Sequence, residues 1–117
     1  MLTPNDDGSW THKTLHNFKE DGHDGFSLRG DLRFDSSGNL YGTTEAGGSE
    51  DSGTVFDLTP NGDGTWTEKI LHQFKNDGQD GRGPSAGVIF DANGNLYGTT
   101  VVGGAHGGGT VFEVVPQ

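Results

Sequence analysis

The sequence predicts an all-β chain made of two copies of one antiparallel unit, on three observations. The heptapeptide GNLYGTT occurs at residues 38–44 and again at 94–100, an interval of 56. Most other large residues recur at that interval without a gap: Trp10 as Trp66, Leu15 as Leu71, His16 as His72, Phe18 as Phe74, Phe34 as Phe90, and Gly53, Thr54, Val55, Phe56 as Gly109, Thr110, Val111, Phe112. A fixed period of this length marks a repeat architecture. Finally, no apolar spacing of three and four residues outlasts one helical turn, whereas 66–74 alternates with the period of a strand.

The elements come in a regular order. Residues 2–4 read LTP and match 58–60, where the same tripeptide ends a strand. Residues 5–8, like 61–64, form a polar turn in which glycine and Asn/Asp tolerate positive φ. A strand is expected over 10–18. In its counterpart, Trp66, Glu68, Ile70, His72 and Phe74 point one way and Thr67, Lys69, Leu71 and Gln73 the other. The longest connections, 19–30 and 75–86, each carry DGxDG, and such glycine density favours irregular loops. Short strands come next, at 31–35 and 87–91. Turns around Gly-Asn at 36–39 and 92–95 then pair them antiparallel with 40–44 and 96–100. Glycine-rich loops, 45–52 and 101–108, lead to the last strands, 53–58 and 109–115.

Composition limits the core. Hydrophobic residues are 28% of the 117, and 22 glycines contribute no side chain. A net charge of −10 on so apolar-poor a chain would suit disorder, but disordered chains have no reason to keep aromatic residues at matched positions. The acidic balance excludes nucleic acid and anionic membrane as partners, since both need a basic footprint. Without cysteine there are no disulfides or thiolate metal sites. No signal peptide or long apolar run is evident. Met1 leads directly into repeat sequence, which points to a trimmed or engineered chain.

Each period holds four antiparallel strands on short connections, the sequence cue for a β-propeller of four-stranded meander blades. The pattern WTEKILHQF, DG, AGVIFDANGNLYGTT, GG, GGTVFEVVP resembles the tandem bacterial repeat called GloVer, and its VIFDANGNLYGTT hairpin resembles the inner hairpin of NHL-type blades. The resemblance implies a propeller of secreted or surface-anchored bacterial proteins and no catalysis.

The chain divides into a first repeat, 1–57, and a second, 58–117. If blades begin at the innermost strand, it opens on an orphan outer strand (10–18), runs through one complete blade (31–74) and stops after three strands of the next (87–115). Two blades cannot close a ring, whose ordinary range is about four to eight. The expectation is therefore a homo-oligomer in which the orphan strand, with Trp10, Leu15, His16 and Phe18, completes the last sheet of a neighbour in a head-to-tail contact. Four chains would give eight blades and are favoured; three would give six.

Candidate chemistry is sparse. Asp21, His23, Asp24, Glu50 and Asp51 should share one face with Asp77, Asp80 and His106, where glycine-borne carboxylates could hold Ca²⁺. The simpler reading makes them solvated turn residues, and no other cofactor is expected. His16 and His72 are either hydrogen-bonded between blades or ligands of a transition metal. Arg29, Asp31 and Arg33 would approach the central channel, as a compensated charge pair or an anion site. GxSxG, HExxH and a phosphate loop are all missing. The sequence thus reads as a non-enzymatic, self-assembling structural or binding module. The alternative is a carbohydrate-binding propeller with Trp10, Trp66, Tyr41 and Tyr97 as stacking surfaces.

Overall fold

The computed structural model describes residues 1–115 and is all-β, with no helix among them. In chain order the strands are β1 (Leu2–Pro4), β2 (Trp10–His12), β3 (Gly25–Phe26), β4 (Arg33–Phe34), β5 (Leu40–Thr44), β6 (Ala46–Gly47) and β7 (Thr54–Pro60). They continue with β8 (Trp66–Gln73), β9 (Gly81–Arg82), β10 (Ile89–Phe90), β11 (Leu96–Thr100), β12 (Val102–Gly103) and β13 (Thr110–Val114). The first main sheet is a four-stranded antiparallel meander, β4-β5-β7-β8; the second repeats its first three strands as β10-β11-β13. No closed sheet is present among the described residues.

The GNLYGTT motif explains itself in this setting. Asp35 holds the hairpin before it: Oδ1 accepts the backbone N–H groups of Ser37 and Asn39, and Oδ2 accepts from the Asn39 amide and the Tyr41 hydroxyl. Asp91 does the same with Asn93, Asn95 and Tyr97. Leu40 is buried, and Gly42 lies under the Phe56 ring, where an added Cβ would sit 2.8 Å from Cζ. Thr44 and Thr54, both fully buried, share a hydroxyl–hydroxyl hydrogen bond of 2.8 Å, and Thr44 also donates to the Ala46 carbonyl. Buried hydroxyls are costly unless paired, so these two positions specify each other.

Strand 10–18 is shorter than its sequence implies. β7 runs seven residues and supports eight of β8, whereas β1 runs three and supports only three of β2, through Leu2↔His12, Thr3↔Thr11 and Pro4↔Trp10. Residues 13–18 therefore lie outside any strand yet still pack: Leu15 and Phe18 cover Leu40, Phe56 and Leu58. The strict alternation expected along 66–74 is also broken. Val55 pairs with His72 and Phe56 with Ile70, leaving Leu71 as an extra residue, a β-bulge that reverses the facing of the residues after it. Trp66 and Ile70 pack with the Phe56 cluster, whereas Leu71 and Phe74 turn to the second sheet.

The long loops are less irregular than their glycine content suggests. β3 pairs with β6 and β9 with β12, so the DGxDG loop and the GG loop of each repeat meet, as the meander order requires.

The two sheets stack through Val55, Phe74, Val88 and Leu96, with Phe112 and Val114 at the margin. Burying a Phe or Val side chain is worth about 1.5–3 kcal/mol, so this layer and the Phe56 layer hold the molecule together. Both ends of the stack are open. The radius of gyration is 15.3 Å, against roughly 13 Å for a compact domain of this size.

Candidate functional site

The most organised polar cluster lies where the 13–18 segment crosses the first sheet. His16 arrives on that segment, Asp24 on the DGxDG loop and Glu68 on β8. Three elements thus deliver one ligand-type atom each, all within 4.8 Å of one another. His16 Nε2 stands 3.0 Å from Asp24 Oδ2 and 3.3 Å from Glu68 Oε2. The His16 ring is held edge-on against Phe18, centroids 4.5 Å apart.

Asp24 is fixed by the loop that carries it. Its side chain is 9% exposed; Oδ1 accepts the Gly25 N–H, and Oδ2 accepts the Lys19 N–H as well as facing His16. The next residue along must be glycine, because a Cβ there would sit 2.7 Å from Thr44 Cβ and overlap its hydroxyl. Glu68 is less content. Its Oε2 is buried without a hydrogen-bond partner, and burial pushes the carboxyl up to about 7 against the pull of His16.

The second repeat carries a matching but more open pair, His72 Nε2 to Asp80 Oδ2 at 2.8 Å. Asp80 repeats the Asp24 contacts, accepting from the N–H groups of Lys75 and Gly81. In the repeat register the place of Glu68 is held one period earlier by His12, which is exposed.

The other sequence candidates scatter. Asp21 and Asp77 accept the backbone N–H groups two and three residues on, which holds both carboxyls below their ordinary range. Asp51 accepts the N–H of Gly47, four residues before it. His23, Glu50 and His106 lie outside the cluster, and Glu50 and His106 are exposed. Arg29 pairs with Glu45 at 2.9 Å, while Asp31 and Arg33 are exposed. Trp10 is 61% exposed, and Trp66 is half-buried against the Phe56 cluster. Tyr41 and Tyr97 are tied through their hydroxyls to Asp35 and Asp91. Burial and then that hydrogen bond push Tyr41 up to about 12; at Tyr97 the leading cause is a bond to Glu113, with the same result. Glu68 escaped sequence reading, although an acid between Trp66 and Ile70 on an apolar face was an available signal.

The model of the Gloeobacter/Verrucomicrobia repeat matches residues 2–117. The chain belongs to that family. No curated protein and no solved structure matches it. Within this Gloeobacter/Verrucomicrobia repeat chain the aspartate-closed turns, the threonine pair and the His–Asp contact recur in both copies.

Proposed function

We propose that this Gloeobacter/Verrucomicrobia repeat chain is a non-enzymatic, self-assembling β-propeller fragment, closed into a ring by strand exchange between subunits. One observation carries the reading: the two open ends of the stack are the two halves of the contact already made inside it. At one end a shallow apolar depression is lined by Ala86, Ile89, Tyr97, Thr99 and Val111. At the other lies a second, lined by Leu15, Leu32, Phe34, Leu40 and Trp66. Within the chain the equivalent faces meet: Tyr41 packs on Phe90, and the Thr43 hydroxyl donates to the Ala86 carbonyl at 2.8 Å. By the same register Tyr97 would meet Phe34, and Thr99 the Gly30 carbonyl, of a second copy.

The exposed residues fit this partner. Val111 is 79% exposed, Ile89 58% and Phe34 62%, a large apolar area for a chain with so little hydrophobic material. Among the described residues β13 has no strand on its outer side, and 13–18 is part of no strand. A head-to-tail contact pairs these edges and removes both. Four subunits would give eight sheets and three would give six, with four preferred. Native mass spectrometry at low micromolar concentration decides: a closed trimer or tetramer is expected, and a monomer at all concentrations overturns the reading.

A carbohydrate-binding module is the second reading, and exposed Trp10 is the observation in its favour. Tryptophan quenching on titration with oligosaccharides would support it, whereas an unresponsive Trp10 leaves the structural role.

A further inference from the structure

We propose that His16, Asp24 and Glu68 form a binding site for a divalent transition metal of the zinc class, clamping the 13–18 segment and the DGxDG loop to the last strand of the first sheet. The proposal concerns contacts within one chain and does not depend on ring assembly.

The donor set is the first argument. One imidazole nitrogen with two carboxylate oxygens suits zinc, whereas Ca²⁺ takes six to eight oxygens. The spacing is the second. Metal–ligand bonds of about 2.0 Å in a tetrahedron place neighbouring ligand atoms roughly 3.3 Å apart, and His16 Nε2 stands 3.0 Å and 3.3 Å from the two carboxylate oxygens.

The third argument is what the cluster lacks. A single imidazole nitrogen can give its one proton to one carboxylate, so His16 satisfies Asp24 or Glu68 but not both. Glu68 Oε2 is the loser, buried and without a hydrogen bond. A divalent cation would give this buried oxygen the partner it lacks. Supporting contacts are in place as well: the Lys19 and Gly25 N–H groups hold the Asp24 carboxylate, which is how outer partners orient a ligand.

The experiment is a titration of metal-stripped chain with zinc chloride at neutral pH, monitored by calorimetry, native mass and thermal melting. One zinc per chain is expected, with a raised Tm, because a ligand that binds only the folded state stabilises it. Glu68→Gln and His16→Ala should each weaken binding by more than the roughly 10–100-fold that losing an outer partner costs. His106→Ala should leave it unchanged. Asp24→Asn replaces either variant that fails to fold. The absence of stoichiometric zinc, or affinity that survives both ligand substitutions, overturns the proposal. Because zinc count and subunit count are read separately from one mass spectrum, failure here is distinct from failure of the assembly.

Discussion

Tyr41 and Phe90 meet edge-on between the two sheets, ring centroids 5.0 Å apart and planes at 87°. The equivalent residues one repeat over, Tyr97 and Phe34, lie at opposite ends of the stack. If Phe34 serves a second copy as Phe90 serves this one, the two phenylalanines respond oppositely to truncation. Phe90→Ala should lower the unfolding free energy by about 3 kcal/mol, the low end for a core phenylalanine, because its site is partly buried. Phe34→Ala should leave the melting of the isolated chain within about 0.5 kcal/mol of wild type, as surface changes do, while reducing the assembled fraction. Equal loss of stability in both would deny Phe34 its special role.

The second glycine of DGxDG is a packing requirement and the first a conformational one. At Gly25 an added Cβ meets the buried Thr44 side chain, and at Gly81 it meets Thr100 and Thr110. Gly78 has φ +77° with open space around it. Gly25→Ala and Gly81→Ala should each cost about 1–3 kcal/mol by overpacking. Gly78→Ala should cost about 1–2 kcal/mol through the left-handed backbone alone. Adding Thr44→Ala to Gly25→Ala and to Gly78→Ala separates the mechanisms: removing the Thr44 hydroxyl and methyl should relieve part of the Gly25→Ala penalty, measured against Thr44→Ala alone, and leave that of Gly78→Ala unchanged.

Much of this was legible in the sequence because the repeat fixes pairings by position. The meander of the first sheet, the three strands of the second and the Gly-Asn hairpins come from strand period and turn chemistry. What stayed hidden depends on partners a period cannot show. Residues 13–18 read as strand because their copy, 69–74, has β7 beside it, and only tertiary pairing distinguishes the two. The bulge at Leu71 moves His72 off the face of Trp66, which no alternation pattern reveals. Asp24 looks like any loop aspartate until the fold sets it against His16 and Glu68.

The hairpin carboxylates give the repeat a dependence on acid. Burial works against the charged form of Asp35, but hydrogen bonds from Asn39, Tyr41 and Ser37 outweigh it and hold the carboxyl below 3.8. Asp91 is held the same way. A depressed folded value means the native state binds fewer protons than the unfolded chain, so this stability is present above about pH 4 and lost as the pH falls through the folded values. Urea unfolding between pH 7 and 3 should show the loss. Asp35→Asn should lower stability at pH 7 and flatten that acid slope; a slope unchanged in Asp35→Asn assigns it to other carboxylates.

β1 and the end of β13 compete for one place. Leu2, Leu58 and Val114 are equivalent in the repeat, and Leu58 pairs with Glu68 as Leu2 pairs with His12. In strand exchange Val114 of one copy must lie opposite His12 of another, where that copy's own Leu2 now sits. The β1–β2 hairpin therefore caps the strand that assembly needs, and its pairing is three residues long with every residue exposed. So short a hairpin is marginal in water. Deleting residues 1–4 should shift assembly to lower protein concentration without lowering the melting temperature of the stacked sheets. It should also carry His12 to the position beside His72 and Asp80 that Glu68 fills beside His16 and Asp24. Unchanged or weakened assembly of the truncated chain would show that β2 is not the exchanged strand.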